Sequence, residues 1–153
     1  MTRAIASLLG AGFLRPGPGT WGSIAAVVPG AALLALAGPL TVAAGAVLLT
    51  ALGWWATTRE LARTTDADPQ WIVIDEAAGM WVALAGLPAF GWAGVLAACV
   101  LFRLFDIAKP GPVGWADRQG GATGVMLDDL LAGALAALVL VALAFVLPTE
   151  WFP

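Results

Sequence analysis

From Pro16 to Thr58 the chain runs 43 residues without a single charged side chain. Two more charge-free runs follow, 26 residues between Glu76 and Arg103 and 20 between Asp129 and Glu150. About 20 apolar residues in a helix span the roughly 30 Å hydrocarbon core of a bilayer. The later runs each fit one such span, and the first fits two. Hydrophobic residues make up 61% of the chain and charged residues 11%, where an ordinary soluble domain carries about 25% charged residues. That leaves too little charge to coat a soluble domain. The eight tryptophans suit the headgroup layer, where an apolar ring with one N–H donor is well placed. The expected fold is all-α, a polytopic transmembrane helical bundle formed as one membrane-embedded domain over residues 1–153.

Proline and glycine divide the runs. Gly38–Pro39 marks a tight turn, Pro29–Gly30 a kink, and Leu87–Pro88 a second turn. The predicted spans are 24–37 and 40–57 as one helical hairpin, 72–86 and 89–105 as another, and 127–147 as a final helix. Segments 24–37 and 72–86 are short for full crossings, so a re-entrant path or a four-span bundle stays open beside the five-span one. With the N-terminus inside, Arg3, Arg15, Arg59, Arg63, Arg103, Lys109 and Arg118 all fall on the cytoplasmic side. Residues 1–23 then form a cytoplasmic loop, with no pattern of a cleaved signal peptide. The tail Thr149–Pro153 ends outside. Cys99 is the single cysteine, so a disulfide within the chain is excluded and a small buried hydrophobe is expected.

The polar residues gather in four places. Pro16 to Ser23 is a glycine-rich turn that feeds a helix, with Thr20, Gly22 and Ser23 as candidate donors to an anion and Ser23 as a candidate cap. It lacks the Gly-Lys-Ser/Thr of a P-loop. Asp75 and Glu76 open an apolar helix, with Gly79 on the face of Asp75, leaving room there for a helix or a ligand. Arg103 and Asp106 sit three apart on one face near a helix end, followed by Lys109, a stiff Pro110–Gly111–Pro112 loop and the couple Asp117–Arg118. Gly120–Gly121 leads to Asp128–Asp129 at the expected start of the last helix, where one acid can serve the helix N-terminus, with Gly133 four residues beyond.

In the five-span arrangement Asp75, Glu76, Asp106, Asp128 and Asp129 meet at one membrane edge. Carboxylates in contact with an apolar phase are costly unless they face water, a cation or a partner. A carboxylate cluster without His suits a hard cation such as Mg²⁺, and the absence of His with only one Cys excludes the usual zinc site. Arg103, Lys109 and Arg118 are placed to hold a phosphate beside it. Three classes fit this pattern: a metal–phosphate enzyme, a transporter or channel for a small cation or headgroup, and a non-catalytic membrane scaffold. Asp66 and Asp68 lie in a polar stretch that reads as a solvated loop.

Taken in order, Pro18-Gly19-Thr20 with Gly22-Ser23, Asp75-Glu76 with Gly79-Met80, Phe102-Arg103 with Asp106, Lys109-Pro110, Pro112, Asp117-Arg118, and Gly124, Met126 and Asp128-Asp129 with Ala132-Gly133 resemble the phosphatidylglycerophosphatase A family of bacterial membrane phosphatases. The resemblance runs from about Gly12 to Gly133. It implies Mg²⁺-dependent hydrolysis of phosphatidylglycerophosphate to phosphatidylglycerol and phosphate, in phospholipid biosynthesis at the cytoplasmic face of the bacterial inner membrane. It implies a lipid substrate within the bilayer and no nucleic acid. Asp75, Glu76, Asp106, Asp128 and Asp129 are then the metal set, and Lys109, Asp117 and Arg118 join them as catalytic candidates. Thr20, Gly22, Ser23, Arg103, Lys109 and Arg118 become the candidate substrate contacts. Relatives often carry a His after the Asp117-Arg118 couple, but this chain reads Gln119-Gly-Gly-Ala122-Thr123 there.

Overall fold

The computed structural model describes residues 1–66 and 68–146. They form helices without a strand among them: α1 (Thr2–Ala6), a 3-10 turn at Ala11–Phe13, α2 (Pro18–Ala37), α3 (Pro39–Leu61), α4 (Ile74–Ala85), α5 (Trp92–Ala108), α6 (Pro112–Asp117) and α7 (Gly121–Val146). The fold is a polytopic membrane bundle. Among the described residues, α2, α3 and α7 are long and apolar enough to cross a bilayer. Their outer faces carry exposed apolar side chains, such as Val28 and Leu36 on α2, Val47 and Leu48 on α3, and Leu138 and Phe145 on α7. In water these would be costly; against lipid tails they are at home.

α4 is the hub. It packs against α2, α3, α5 and α7, and Ile74, Asp75, Ala77, Ala78, Gly79, Met80, Ala83 and Leu84 are all buried. At 12 residues it is about 18 Å long. A short helix can stand at the centre because its neighbours, not lipid, surround it. The α4–α5 turn at Gly86–Pro88 lies beside Pro39 at the α2–α3 turn and beside Val141–Phe145 of α7. Both turns therefore sit at the same end of the bundle.

Several boundaries differ from the sequence expectation. Residues 1–23 are not one loop. They hold α1, the 3-10 turn and the first turns of α2, which starts with Pro18 at its first position. Proline is preorganised for that position and gives up an N–H that has no partner there. Ser23 is thus inside the helix and does not cap it; its hydroxyl donates to the Gly19 carbonyl at 2.9 Å. α2 is no shorter than a full span, at 20 residues, and it continues through Pro29. Beside that proline, Trp81 Nε1 donates to the Ala26 carbonyl at 2.9 Å. Trp81 is thus a packing residue and not a headgroup anchor. The Pro110–Pro112 segment is not a loop throughout, because Pro112 starts α6. α7 starts at Gly121, so Asp128 and Asp129 lie two turns inside it and neither serves its first turn. Residue 147 and the tail Thr149–Pro153 lie outside the described residues. Cys99 is half-buried on α5, 3.9 Å from Met80 Sδ.

The closest helix crossing is that of α4 and α7. A Cβ on Gly79 would meet the Asp129 backbone and the Phe102 ring, and a Cβ on Gly133 would meet the Gly79 backbone. The room beside Asp75 is therefore filled by a helix. Small residues at such a crossing let backbones approach where lipid gives no hydrophobic drive. Gly79→Ala and Gly133→Ala should each destabilise the fold by about 1–3 kcal/mol, the usual size of an overpacking cost. Thermal unfolding in detergent should show lower Tm values for both. An unchanged Tm would mean that the two backbones can separate freely.

Candidate active site

A cavity of about 690 Å³ opens at the end of the bundle opposite the two turns. Volumes of roughly 300–1,000 Å³ are usual for small-ligand sites. Its wall is built by the N-terminal ends of α2, α4 and α7 and the C-terminal end of α5, with Asp117 of α6 and Arg15, Asp68 and Gln70 from connecting segments. Seven of its lining side chains are acidic and three are basic.

The five acids singled out in the sequence converge here in two overlapping groups. In one group, carboxylate oxygens of Asp75, Glu76 and Asp129 lie within 4.8 Å of one another; in the other, those of Asp106, Asp128 and Asp129 do. Asp129 belongs to both. Asp75, Asp128 and Asp129 are buried. Asp75 and Glu76 occupy the first turn of α4, where the helix dipole favours negative charge. The Glu76 backbone N–H donates to Asp75 Oδ1 at 3.0 Å, and the Asp129 N–H to Asp128 Oδ1 at 3.0 Å.

Glu76 Oε2 is buried and finds no hydrogen-bond partner among the described residues. Leaving a buried polar atom unsatisfied is costly, more so when it is charged. The group lies against the first turn of α2, where a Cβ on Gly19 would collide with Glu76 Oε1. The donor set is oxygen throughout, which fits a hard divalent cation. The orphaned Glu76 oxygen and the crowding of acids are what such a cation would relieve.

Two cations are already engaged. Arg103 Nη1 bonds Asp106 Oδ2 at 2.7 Å, the pair expected three residues apart on α5. Lys109 Nζ sits between Asp117 Oδ1 at 2.5 Å and Asp128 Oδ2 at 2.6 Å. Lys109 caps α5 in the left-handed region at φ 46°, a conformation uncommon outside glycine and asparagine. Burial disfavours its charge, but the hydrogen bonds to Asp117 and Asp128 outweigh that and hold its pKa above the ordinary lysine value. Lys109 thus ties the end of α5 to α6 and α7.

The chain matches the family model described as Phosphatidylglycerophosphatase A over residues 4–144. The chain belongs to the phosphatidylglycerophosphatase A family. It is 37% identical over 137 residues to "Phosphatidylglycerophosphatase A" of Haemophilus influenzae, covering 89% of this chain and 84% of that one. A Bacteroides thetaiotaomicron protein provisionally named phosphatidylinositol-3-phosphatase is 39% identical over 142 residues, covering 88% of this chain and 87% of that one. "Phosphatidylglycerophosphatase A" of Escherichia coli is 46% identical over a shorter stretch of 70 residues, 45% of this chain and 41% of that one. No solved structure matches the chain significantly. Family membership makes the protein a membrane lipid phosphatase, and together with the polytopic fold it supports a bacterial inner-membrane location.

Against this family background, the candidate residues separate by position. Asp75, Glu76, Arg103, Asp106, Lys109, Asp117, Asp128, Asp129 and Thr20 line the cavity. Gly22, Ser23 and Arg118 do not line it. Gly22 lets α2 approach Val73, whose Cβ would stand 2.7 Å from an added methyl; Ser23 is buried; Arg118 is exposed at the end of α6. Arg15, Gly19, Asp68 and Gln70 were not singled out as site residues and do line it. Asp68, read as part of a solvated loop, stands at the cavity rim. Loss of hydration there, with Asp117 and Asp66 nearby, holds its carboxyl above the usual value against the pull of Lys109. Asp68 and Gln70, a few residues before α4, line the cavity with Asp68 near Lys109 and Asp117, a long-range approach that no local pattern signals.

The Lys109 brace makes a stability prediction. Because its folded pKa is raised, its contribution is complete below the ordinary lysine value of about 10.4 and fades only as pH climbs through the higher folded value. At neutral pH, Lys109→Met should therefore lower the Tm, leaving Asp117 and Asp128 without their shared cation. Adding Asp117→Asn should recover part of the loss. A double variant no more stable than the single one would show that Asp117 is not part of the brace.

Proposed function

We propose that the protein removes the terminal phosphate of phosphatidylglycerophosphate, yielding phosphatidylglycerol and inorganic phosphate, with Mg²⁺ bound by carboxylates among Asp75, Glu76, Asp106, Asp128 and Asp129. The observation that carries this reading is the converging acid cluster with its orphaned Glu76 oxygen. A cavity lined by seven acids and three bases would repel a phosphomonoester unless positive charge is added to it. The names of the relatives from Haemophilus influenzae and Escherichia coli supply the substrate.

Held by these carboxylates, Mg²⁺ would supply Lewis-acid charge for the phosphoryl group and would make water a better nucleophile. The protein's own groups do the rest. The Arg103 guanidinium uses Nη1 on Asp106 and keeps other N–H donors for non-bridging phosphate oxygens. Lys109 holds Asp128 in place. Thr20 offers a hydroxyl from the first turn of α2. With no histidine in the chain, proton transfer to the departing oxygen falls to a carboxyl group or water. The acyl tails stay in the leaflet, and the headgroup enters the cavity from the membrane edge.

On this reading α2, α3, α4, α5 and α7 all cross the membrane, as two hairpins and a final helix. The cavity faces the cytoplasm, the side that collects the basic residues.

Purified protein should release phosphate from phosphatidylglycerophosphate with Mg²⁺ and lose that activity in excess chelator. Asp75→Asn, Asp106→Asn and Asp129→Asn should each cut turnover at least about 100-fold while still accumulating in the membrane, the few kcal/mol expected when one anchor of metal or transition-state charge goes. Mg²⁺ should raise the Tm of the wild type more than that of these variants. Asp66→Asn, outside the cavity, is the control and should stay within a few-fold. Full activity in chelator would discard the metal, and near-wild-type turnover in all three variants would discard the cluster.

Topology has its own measurement. In a Cys99→Ala background, Arg118→Cys should react with a membrane-impermeant thiol reagent only after the cytoplasmic side is opened. Pro88→Cys, at an exposed position of the α4–α5 turn, should react from outside intact cells. Protection of position 88 from both sides would mean a re-entrant α4–α5 pair.

A further inference from the structure

The three basic residues that line the cavity are not equivalent. Arg103 is bound to Asp106, and Lys109 to Asp117 and Asp128. Arg15 also lines the cavity, yet it makes no salt bridge among the described residues. It is exposed and stands one residue before Pro16–Gly17, the turn that leads into α2. Gly17 holds φ 72° there, a conformation glycine adopts without strain. That turn places Arg15 on the cavity wall together with Gln70.

The substrate proposed above has two anionic groups. The terminal phosphomonoester is the one that leaves. The phosphodiester joining glycerol to the diacylglycerol remains on the lipid. The acid cluster and its cation answer the first group. Arg15 is the cavity's unengaged cation, and a guanidinium can give two parallel N–H donors to phosphate oxygens.

We infer that Arg15 is a specificity-determining residue that binds the phosphodiester of the lipid substrate while the terminal phosphomonoester occupies the carboxylate site. This rests on the lipid substrate proposed above. It assigns the cavity two anion subsites, one that reacts and one that recognises. The product keeps the diester, so it should compete through Arg15 alone. Inorganic phosphate lacks it and should compete at the carboxylate site alone.

The test uses the full-length protein in detergent micelles and phosphate release from phosphatidylglycerophosphate. Inhibition constants are measured for phosphatidylglycerol and for inorganic phosphate. Diacylglycerol, with the same tails and no phosphate, controls for surface dilution. Arg15→Gln should raise KM and the phosphatidylglycerol inhibition constant about tenfold each, the scale of one charge-assisted hydrogen bond lost. The inhibition constant for inorganic phosphate should move less than about twofold. Arg15→Lys should recover part of the loss. Arg59→Gln removes an exposed cation at the end of α3, outside the cavity, and should shift neither constant if general attraction to an anionic micelle is not the cause. Equal shifts of both constants in Arg15→Gln, no shift in either, or the same shifts in Arg59→Gln would overturn the assignment of Arg15. So would a wild type that phosphatidylglycerol does not inhibit. Those outcomes leave the substrate intact, whereas a wild type that releases no phosphate from phosphatidylglycerophosphate removes the substrate and this inference together.

Discussion

The contact of Gly79 with Gly133 sets the distance on which the site depends. Each glycine lies four residues after an acid of the cluster, Gly79 after Asp75 and Gly133 after Asp129. One helical turn separates acid from glycine, so the backbone contact fixes where the acids stand. A Cβ added at Gly79 would stand 2.4 Å from the carbonyl oxygen of Asp129 itself. Larger residues at this crossing would move α7 away from α4 and open the Asp75–Glu76–Asp129 group. Together with the packing of α2, α3 and α5, this contact buries most of α4, which is how 12 residues hold the centre of a membrane bundle.

That crossing brings together like charges, which the protein tolerates by placing them with care. The acids sit in the cavity at one end of the bundle, where water or a cation can reach them. Asp75 and Glu76 draw on the helix N-terminus of α4. Asp106 draws on Arg103, and Asp128 on Lys109. A second polar knot stands apart from the cavity. Buried Glu60 accepts from the Thr2 hydroxyl and from Arg63 Nη1 at 2.9 Å, pinning α1 to the end of α3. Arg3 lies over the rings of Phe13 and Trp71 on the same side. These contacts anchor the N-terminal segment that presents Arg15.

What the sequence made legible follows the range of the forces involved. Charge-free runs act over whole helices, so the long spans and the turns at Gly38–Pro39 and Leu87–Pro88 were readable. The five acids were readable because an acid beside an apolar run is costly and needs a reason. Helix starts were less so. Pro18 and Gly121 begin their helices within glycine-rich stretches that look like turns, which moved Ser23 and Asp128–Asp129 from cap positions into helix interiors. Arg118 read as part of a couple with Asp117, but on α6 only Asp117 reaches the cavity, where it meets Lys109. Asp68 and Gln70 line the cavity from the segment that leads into α4, and no periodicity encodes such a placement.

The distribution of partners divides the acid cluster into two halves. Asp106 and Asp128 each have a cation of the protein within 2.7 Å. Asp75, Glu76 and Asp129 have none within salt-bridge distance among the described residues, and Glu76 keeps an oxygen with no hydrogen-bond partner. The unmet demand for positive charge is therefore greatest on the side of α4. Under the proposed function, that is where a divalent cation gains most by binding, because its field is least duplicated by Arg103 and Lys109. Asp129, which belongs to both groups, links the unbraced acids to the side where the two braced acids hold the basic residues. Were phosphate to sit between the two halves, a cation held on the α4 side would add charge there and Arg103 would offer its spare donors. The asymmetry gives the cavity a direction, which five acids read from a sequence as one set cannot convey.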